Sequence, residues 1–145
     1  MSKDYHALIE DRIFMGGAKD VQSMVDDEGV TVVVDLREEA EKCAASGEGL
    51  EWIKVPLGDD ADLPQEELLR NAIQAVVDAY NAGNKVAFHC GGGKGRTGTV
   101  AYGTLIELGL SESIDEAEQK AKHIRPILNI KQAQRTSLET LYIKN

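Results

Sequence analysis

The run Val30-Thr31-Val32-Val33-Val34-Asp35-Leu36 restricts the fold more than any other segment. It is β-branched and almost continuously apolar, which suits a strand buried on both faces at the centre of a sheet. Shorter strand patterns occur at Arg12–Met15, ahead of Gly16-Gly17, at Leu50–Val55, and at Lys85–His89, which runs straight into a glycine-rich loop. Helical patterns alternate with them. Asp20–Asp27 is closed by Gly29. From Leu63, with Pro64 in the first turn, the residues Leu68, Leu69, Ile73, Val76, Val77 and Tyr80 recur at three and four. Thr97–Leu108 carries a small-residue face of Gly98, Ala101 and Gly103 that implies deep burial. Ser113 and Glu116 form a capping box for a helix ending near Arg125-Pro126, and Gln132–Ile143 makes a last helix. Glu38–Ala45 is expected to form a helical turn or two, and Gly58–Asp62 a loop. With no repeat and no long linker, residues 1–145 read as one α/β domain, a central mostly parallel sheet of four to five strands flanked by helices.

Charge narrows the function. The 145 residues hold 16 Lys and Arg against 25 Asp and Glu, a formal charge of −9, yet none of those acids falls between Ala79 and Ile106. An even spread would put about five there. An acidic surface with no Lys/Arg run excludes a nucleic-acid track and a stable membrane partner, and no apolar stretch matches a signal peptide or a bilayer span. A cytoplasmic monomer is expected. Two cysteines, Cys43 and Cys90, are too few for a disulfide scaffold and lack metal-site spacing, so no metal and no cofactor is expected.

Inside the acid-free window lies His89-Cys90-Gly91-Gly92-Gly93-Lys94-Gly95-Arg96-Thr97-Gly98-Thr99, between a strand and a helix. Glycines let successive backbone N–H groups turn inward, and the helix start adds its own unpaired donors, which makes a cradle about the size of a phosphate. Cys90 stands at its mouth, where a helix N-terminus and a nearby guanidinium favour the thiolate, the nucleophilic form. Arg96, six residues on, can return two parallel N–H donors to phosphate oxygens. Gly93-x-Gly95-x-x-Gly98 also fits a dinucleotide pattern, but no second strand ending in an acid follows. A Walker loop fails because Gly95 stands where Ser or Thr is required.

His-Cys-x-x-Gly-x-x-Arg-Thr resembles the signature of the cysteine-dependent protein tyrosine phosphatase superfamily. Ile13-Phe14-Met15-Gly16-Gly17, Val33-Val34-Asp35-Leu36-Arg37 and Arg125-Pro126 are similar to its small dual-specificity branch. The resemblance implies a phosphomonoester hydrolase in which Cys90 attacks phosphorus to give a cysteinyl-phosphate. Arg96 and the backbone of Gly91, Gly92, Gly93, Lys94 and Gly95 would hold the phosphate oxygens, Thr97 would hydrogen-bond the sulfur, and His89 would orient the loop from behind. It also implies an Asp acid about thirty residues earlier, for which Asp59 matches best, with Asp60 and Asp62 as alternatives; Asp62 is equally a helix cap. Gln132 falls where a water-positioning Gln stands in larger relatives.

Substrate remains open between phosphotyrosine alone and phosphotyrosine with phosphoserine or phosphothreonine, on proteins or peptides. Lys94 resembles a loop lysine of enzymes acting on phosphoinositides or inositol phosphates, although Gly91 lacks the second base those enzymes carry. A non-catalytic phosphate-binding module is the other alternative. Cys43 is read as an ordinary thiol with a possible protective disulfide to Cys90 as the competing role. Arg37 and Arg125 are read as ion-pair partners, and His6 and His123 as surface residues.

Overall fold

The computed structural model describes residues 4–58 and 65–142, and in it the valine-rich run becomes β3 (Val32–Arg37), inside a five-stranded sheet. The other strands are β1 (His6–Ile9), β2 (Ile13–Gly17), β4 (Glu51–Leu57) and β5 (Val86–Cys90). A single 3-10 turn, Ala18–Asp20, leads into α1 (Val21–Glu28). The remaining helices are α2 (Glu66–Asn81), α3 (Gly95–Glu107), α4 (Ile114–Ile124) and α5 (Gln132–Tyr142). Strand order is β1-β2-β5-β3-β4; only β1 runs antiparallel to its neighbour. This is the mostly parallel, helix-flanked sheet that the alternating pattern requires.

Side chains divide between the two faces with the period of two that strands impose. Val32, Val34, Leu36 and Phe88 join Leu69, Ile73, Tyr102 and Leu138 in a core shared with α2 to α5. Phe14, Val33 and Ala87 face Val21 and Met24 of α1 in a smaller core. Fully burying a side chain such as Ile13 or Phe88 contributes about 1.5–3 kcal/mol. The small-residue face of α3 has the predicted effect, because every residue from Gly95 to Leu105 is buried and a Cβ on Gly103 would overlap Ile73. At the start of α4 the Ser113 hydroxyl accepts from the Glu116 N–H at 3.1 Å, as the capping box requires.

Two expectations change. Glu38–Ala45 forms bends rather than helix, since its carbonyls are taken by side chains from the sheet: Lys54 Nζ donates to Ala40 at 2.6 Å, and Arg37 Nη2 to Lys42 at 3.3 Å. The N-terminal segment, not read as a strand, pairs with β2 as β1 and places His6 opposite Met15. The predicted helix start at Leu63 and Pro64 lies outside the described residues, as do the loop positions 59–62. Among the described residues no helix is long and apolar enough to cross a membrane.

The topology positions a site. Gly17 and Cys90 are register partners at the carboxyl ends of β2 and β5. The chain then leaves β2 for α1 on one face and β5 for α3 on the other, which opens a crevice between the strand ends.

Candidate active site

Cys90 is the last residue of β5 and is 3% exposed. Beyond it the chain bends back over four residues, and α3 starts at Gly95, so Arg96 and Thr97 occupy its first turn. The Gly93 N–H donates to Cys90 Sγ at 3.3 Å, and Thr97 Oγ1 donates to the same sulfur at 3.1 Å. The Gly16 carbonyl lies 3.3 Å from Thr97 Oγ1 as a second acceptor. One hydroxyl proton serves one acceptor at a time, so Thr97 can shift between sulfur and carbonyl as the charge on sulfur changes.

Backbone packs on backbone at the mouth of this loop. The Ala18 N–H donates to the Gly91 carbonyl at 3.0 Å. Gly93 has φ +72°, and a Cβ there would lie 2.6 Å from the Gly16 carbonyl carbon and 2.7 Å from the Gly17 nitrogen. Only glycine fits. The Gly16-Gly17 end of β2 and the loop glycines are therefore one requirement read at two places in the chain.

Arg96 is 6% exposed and curls back as its spacing suggests. Nη1 donates to the carbonyls of Leu57 at 3.0 Å and Leu36 at 3.4 Å, at the ends of β4 and β3. Glu39 takes both ends of the guanidinium, Oε1 from Nη1 at 2.9 Å and Oε2 from Nη2 at 3.1 Å. The hydrogen bonds from Arg96 hold the Glu39 carboxyl down at about 2, against a smaller opposing effect of burial. Sequence reasoning missed Glu39. The available signal was that Glu38, Glu39 and Glu41 follow the strand next to β5, but only the folded turn selects Glu39 among them.

His89 is fully buried. Its Nδ1 lies 3.1 Å from the Cys90 carbonyl and its Nε2 3.7 Å from Asp35 Oδ1. Burial pushes the imidazole below its ordinary range despite the attraction of Asp35, so the neutral ring with Nδ1–H donating to Cys90 is the tautomer that fits. Burial alone would raise the Asp35 carboxyl. Hydrogen bonds from Arg37, at 2.9 Å to each oxygen, and from Trp52 Nε1 outweigh it and hold Asp35 below its usual value. Arg37 is thus the predicted ion-pair partner.

Arg125 corrects its expectation. It is fully buried and hydrogen-bonds neutral groups: Nε donates to the Gly93 carbonyl at 2.9 Å, and Nη1 to the Asp4 carbonyl at 2.6 Å and His6 Nδ1 at 2.9 Å. His6 is accordingly half-buried against Arg125 rather than a plain surface residue, whereas His123 is exposed.

Other predicted residues are placed as follows. Lys94 is the exposed N-cap of α3, and its ammonium makes no hydrogen bond or ion pair among the described residues. Gly91 and Gly92 are exposed, Gly93 and Gly95 buried. Gln132, exposed at the start of α5, bonds Thr136 Oγ1 at 3.4 Å. Cys43 packs against the α1-side core while Cys90 belongs to the core on the other face. Asp59, Asp60 and Asp62 lie outside the described residues; the chain enters that segment from Leu57, whose carbonyl already accepts from Arg96. No cluster of three metal-ligating side chains occurs among the described residues.

A family model described as polymorphic toxin system, DSP-PTPase phosphatase, matches residues 11–110. Protein 067L of Invertebrate iridescent virus 3, named as a tyrosine phosphatase, is 38% identical over 77 residues, or 50% of this chain and 32% of that protein. The chain therefore spans about a third of the viral relative's length. Human phosphatidylglycerophosphatase and protein-tyrosine phosphatase 1 is 25% identical over 142 residues, covering 91% of this chain and 70% of the human protein. Of the solved structures, human DUSP28 superposes with a TM-score of 0.83 at 21% identity, covering 99% of this chain and 95% of its own.

Proposed function

The chain belongs to the family described as polymorphic toxin system, DSP-PTPase phosphatase, and from that premise we propose that it is a cysteine-dependent tyrosine/dual-specificity phosphatase, with Cys90 its nucleophile and phosphotyrosine on proteins its main substrate. The observation that carries the assignment is the sulfur of Cys90, met by the Gly93 N–H and the Thr97 hydroxyl at 3.3 and 3.1 Å, with Arg96 folded back from the next helix.

In this reading the Cys90 thiolate attacks phosphorus, an S–P bond forms, and the ester P–O bond breaks. The leaving oxygen takes a proton from Asp59, with Asp60 and Asp62 as alternative acids. Arg96 and the amides of Gly91 to Gly95 stabilise the equatorial oxygens as charge accumulates on them. Water then attacks the cysteinyl-phosphate and gives a proton back to the acid, and the S–P bond breaks. Thr97 returns its hydrogen bond to the departing sulfur. His89 holds the Cys90 carbonyl, and Gln132 is the candidate for positioning water. No metal or cofactor takes part, and the enzyme acts as a monomer in the cytoplasm, where a nucleophilic thiol stays reduced.

Turnover of p-nitrophenyl phosphate in EDTA that disappears in Cys90→Ser supports this assignment. Persistence of turnover in that variant, or tight phosphopeptide binding with no turnover by the unaltered chain, overturns it in favour of another nucleophile or a binding module. Asp59→Asn should lower the rate on phosphotyrosine by about a hundredfold, and a loss confined to Asp60→Asn moves the acid there.

A second reading, a phosphoinositide or inositol phosphate as substrate, has one observation in its favour: the ammonium of Lys94 stands exposed beside the cradle and unpaired among the described residues, where a second phosphate would meet it. A panel of phosphotyrosine peptides, phosphothreonine peptides, phosphoinositides and inositol phosphates separates the two. Lys94→Ala should weaken only the multiply phosphorylated substrates.

A further inference from the structure

The guanidinium of Arg125 fills the space beside Gly93. A Cβ at Gly93 would lie 2.6 Å from its Nη2, and its Nε holds the Gly93 carbonyl at 2.9 Å. Gly93 is also the residue whose N–H reaches the Cys90 sulfur. The turn that aims this donor therefore rests on Arg125. Arg125 in turn is anchored from the start of β1 and the residues just before it, by the Asp4 carbonyl at 2.6 Å and by His6 Nδ1 at 2.9 Å.

We propose that His6 is a positioning residue for the phosphate cradle, acting through Arg125. A guanidinium does not give up its proton, so Nδ1 of His6 accepts with a lone pair and the ring is the neutral Nε2–H tautomer. Protonation would remove that lone pair and set a second cation against Arg125. Among the described residues the charged groups facing His6 are Arg125, just past the end of α4, and Asp4, two residues before β1 begins, whose carboxylate is paired with Lys19 at 3.2 Å; β2 presents the uncharged Met15 opposite. Burial first, and Arg125 second, hold His6 below its ordinary 6.5, with Asp4 opposing. His6 is thus a neutral anchor at pH 7, and its protonation in acid releases Arg125, and with it the Gly93 turn.

This inference rests on the loop being the phosphate site, as proposed above. It is tested on the full chain with His6→Leu, which removes the acceptor, and His6→Asn, whose amide oxygen replaces Nδ1 and does not titrate. Inorganic phosphate binding is measured by calorimetry in the Cys90→Ser background, and kcat and KM are measured with p-nitrophenyl phosphate across the acid range. His6→Leu is expected to weaken phosphate binding and to lower kcat/KM about five- to twentyfold at pH 7. His6→Asn should restore most of that loss and move the acid limb of the rate profile to lower pH. Unchanged phosphate affinity and kcat/KM in His6→Leu, even with a lower Tm, overturns the proposal, as does a loss in His6→Asn equal to that in His6→Leu. If His6→Leu does not fold, the acid limb of His6→Asn carries the test alone, and an unmoved limb overturns the proposal. Because phosphate binding is read without turnover, failure of the Cys90 assignment shows separately as residual activity in Cys90→Ser.

Discussion

Two buried arginines flank the glycine loop, and the fold holds them in opposite ways. Arg96 is held by strand-end carbonyls and by the carboxylate of Glu39, whose side chain is 59% exposed. Among the described residues no carboxylate hydrogen-bonds Arg125; it is held by two carbonyls and a neutral imidazole. An exposed carboxylate exchanges readily with water and costs little to displace, while the buried carbonyl of Gly93 leaves no such freedom. The arginine assigned to meet the substrate dianion is aligned from its solvent side. The one that supports the loop is held by uncharged acceptors, with the carboxylates of Asp4 and Asp20 acting on its charge without hydrogen-bonding it.

The largest test of this contrast is Arg96→Lys. Lysine keeps the charge but loses the planar fork, so kcat/KM on p-nitrophenyl phosphate should fall about 10²–10³-fold while the urea midpoint moves little. A fall below tenfold would remove Arg96 from phosphate binding and erase the distinction. Arg125→Met should do the reverse. It leaves the buried Gly93 carbonyl without its donor, which costs about 1–3 kcal/mol in urea unfolding, and activity should fall about twentyfold, less than in Arg96→Lys. If stability is untouched in Arg125→Met, the arginine is not a structural support.

The parts of this arrangement carried by local chemistry were legible in the chain. Valine-rich β3, the glycine loop with Cys90, Arg96 and Thr97, the small face of α3 and the Ser113 cap all depend on neighbours within a turn or a strand of one another. What was not legible joins distant residues. Glu39 and Arg96 are 57 positions apart, and His6 and Arg125 are 119 apart. Neither pair leaves a periodic or compositional trace. Glu38–Ala45 misled because its helix-compatible residues give their carbonyls to Lys54 and Arg37, a competition visible only once β4 lies beside β3. The acid-free window from Ala79 to Ile106 describes the loop's sequence neighbours, but the fold restores a carboxylate from outside it at Glu39.

The smallest effect is the most discriminating, because Glu39 could either align Arg96 or occupy it in place of substrate. Its folded-state carboxyl titrates at about 2, below the ordinary 4.5, so the pairing is fully present above 4.5 and is lost only as pH falls through about 2. Between pH 5 and 8 Glu39 stays ionised and adds no slope to the rate profile. Glu39→Gln keeps the shape, with an amide oxygen for one Nη and an NH₂ that cannot accept from the other. It should lower kcat/KM about three- to tenfold with the pH profile unshifted, and weaken inhibition by inorganic phosphate by a similar factor. Tighter phosphate binding in Glu39→Gln would reverse the assignment: the carboxylate would then be a competitor seated on Arg96, and the two arginines would differ in being blocked or free rather than in how firmly they are held.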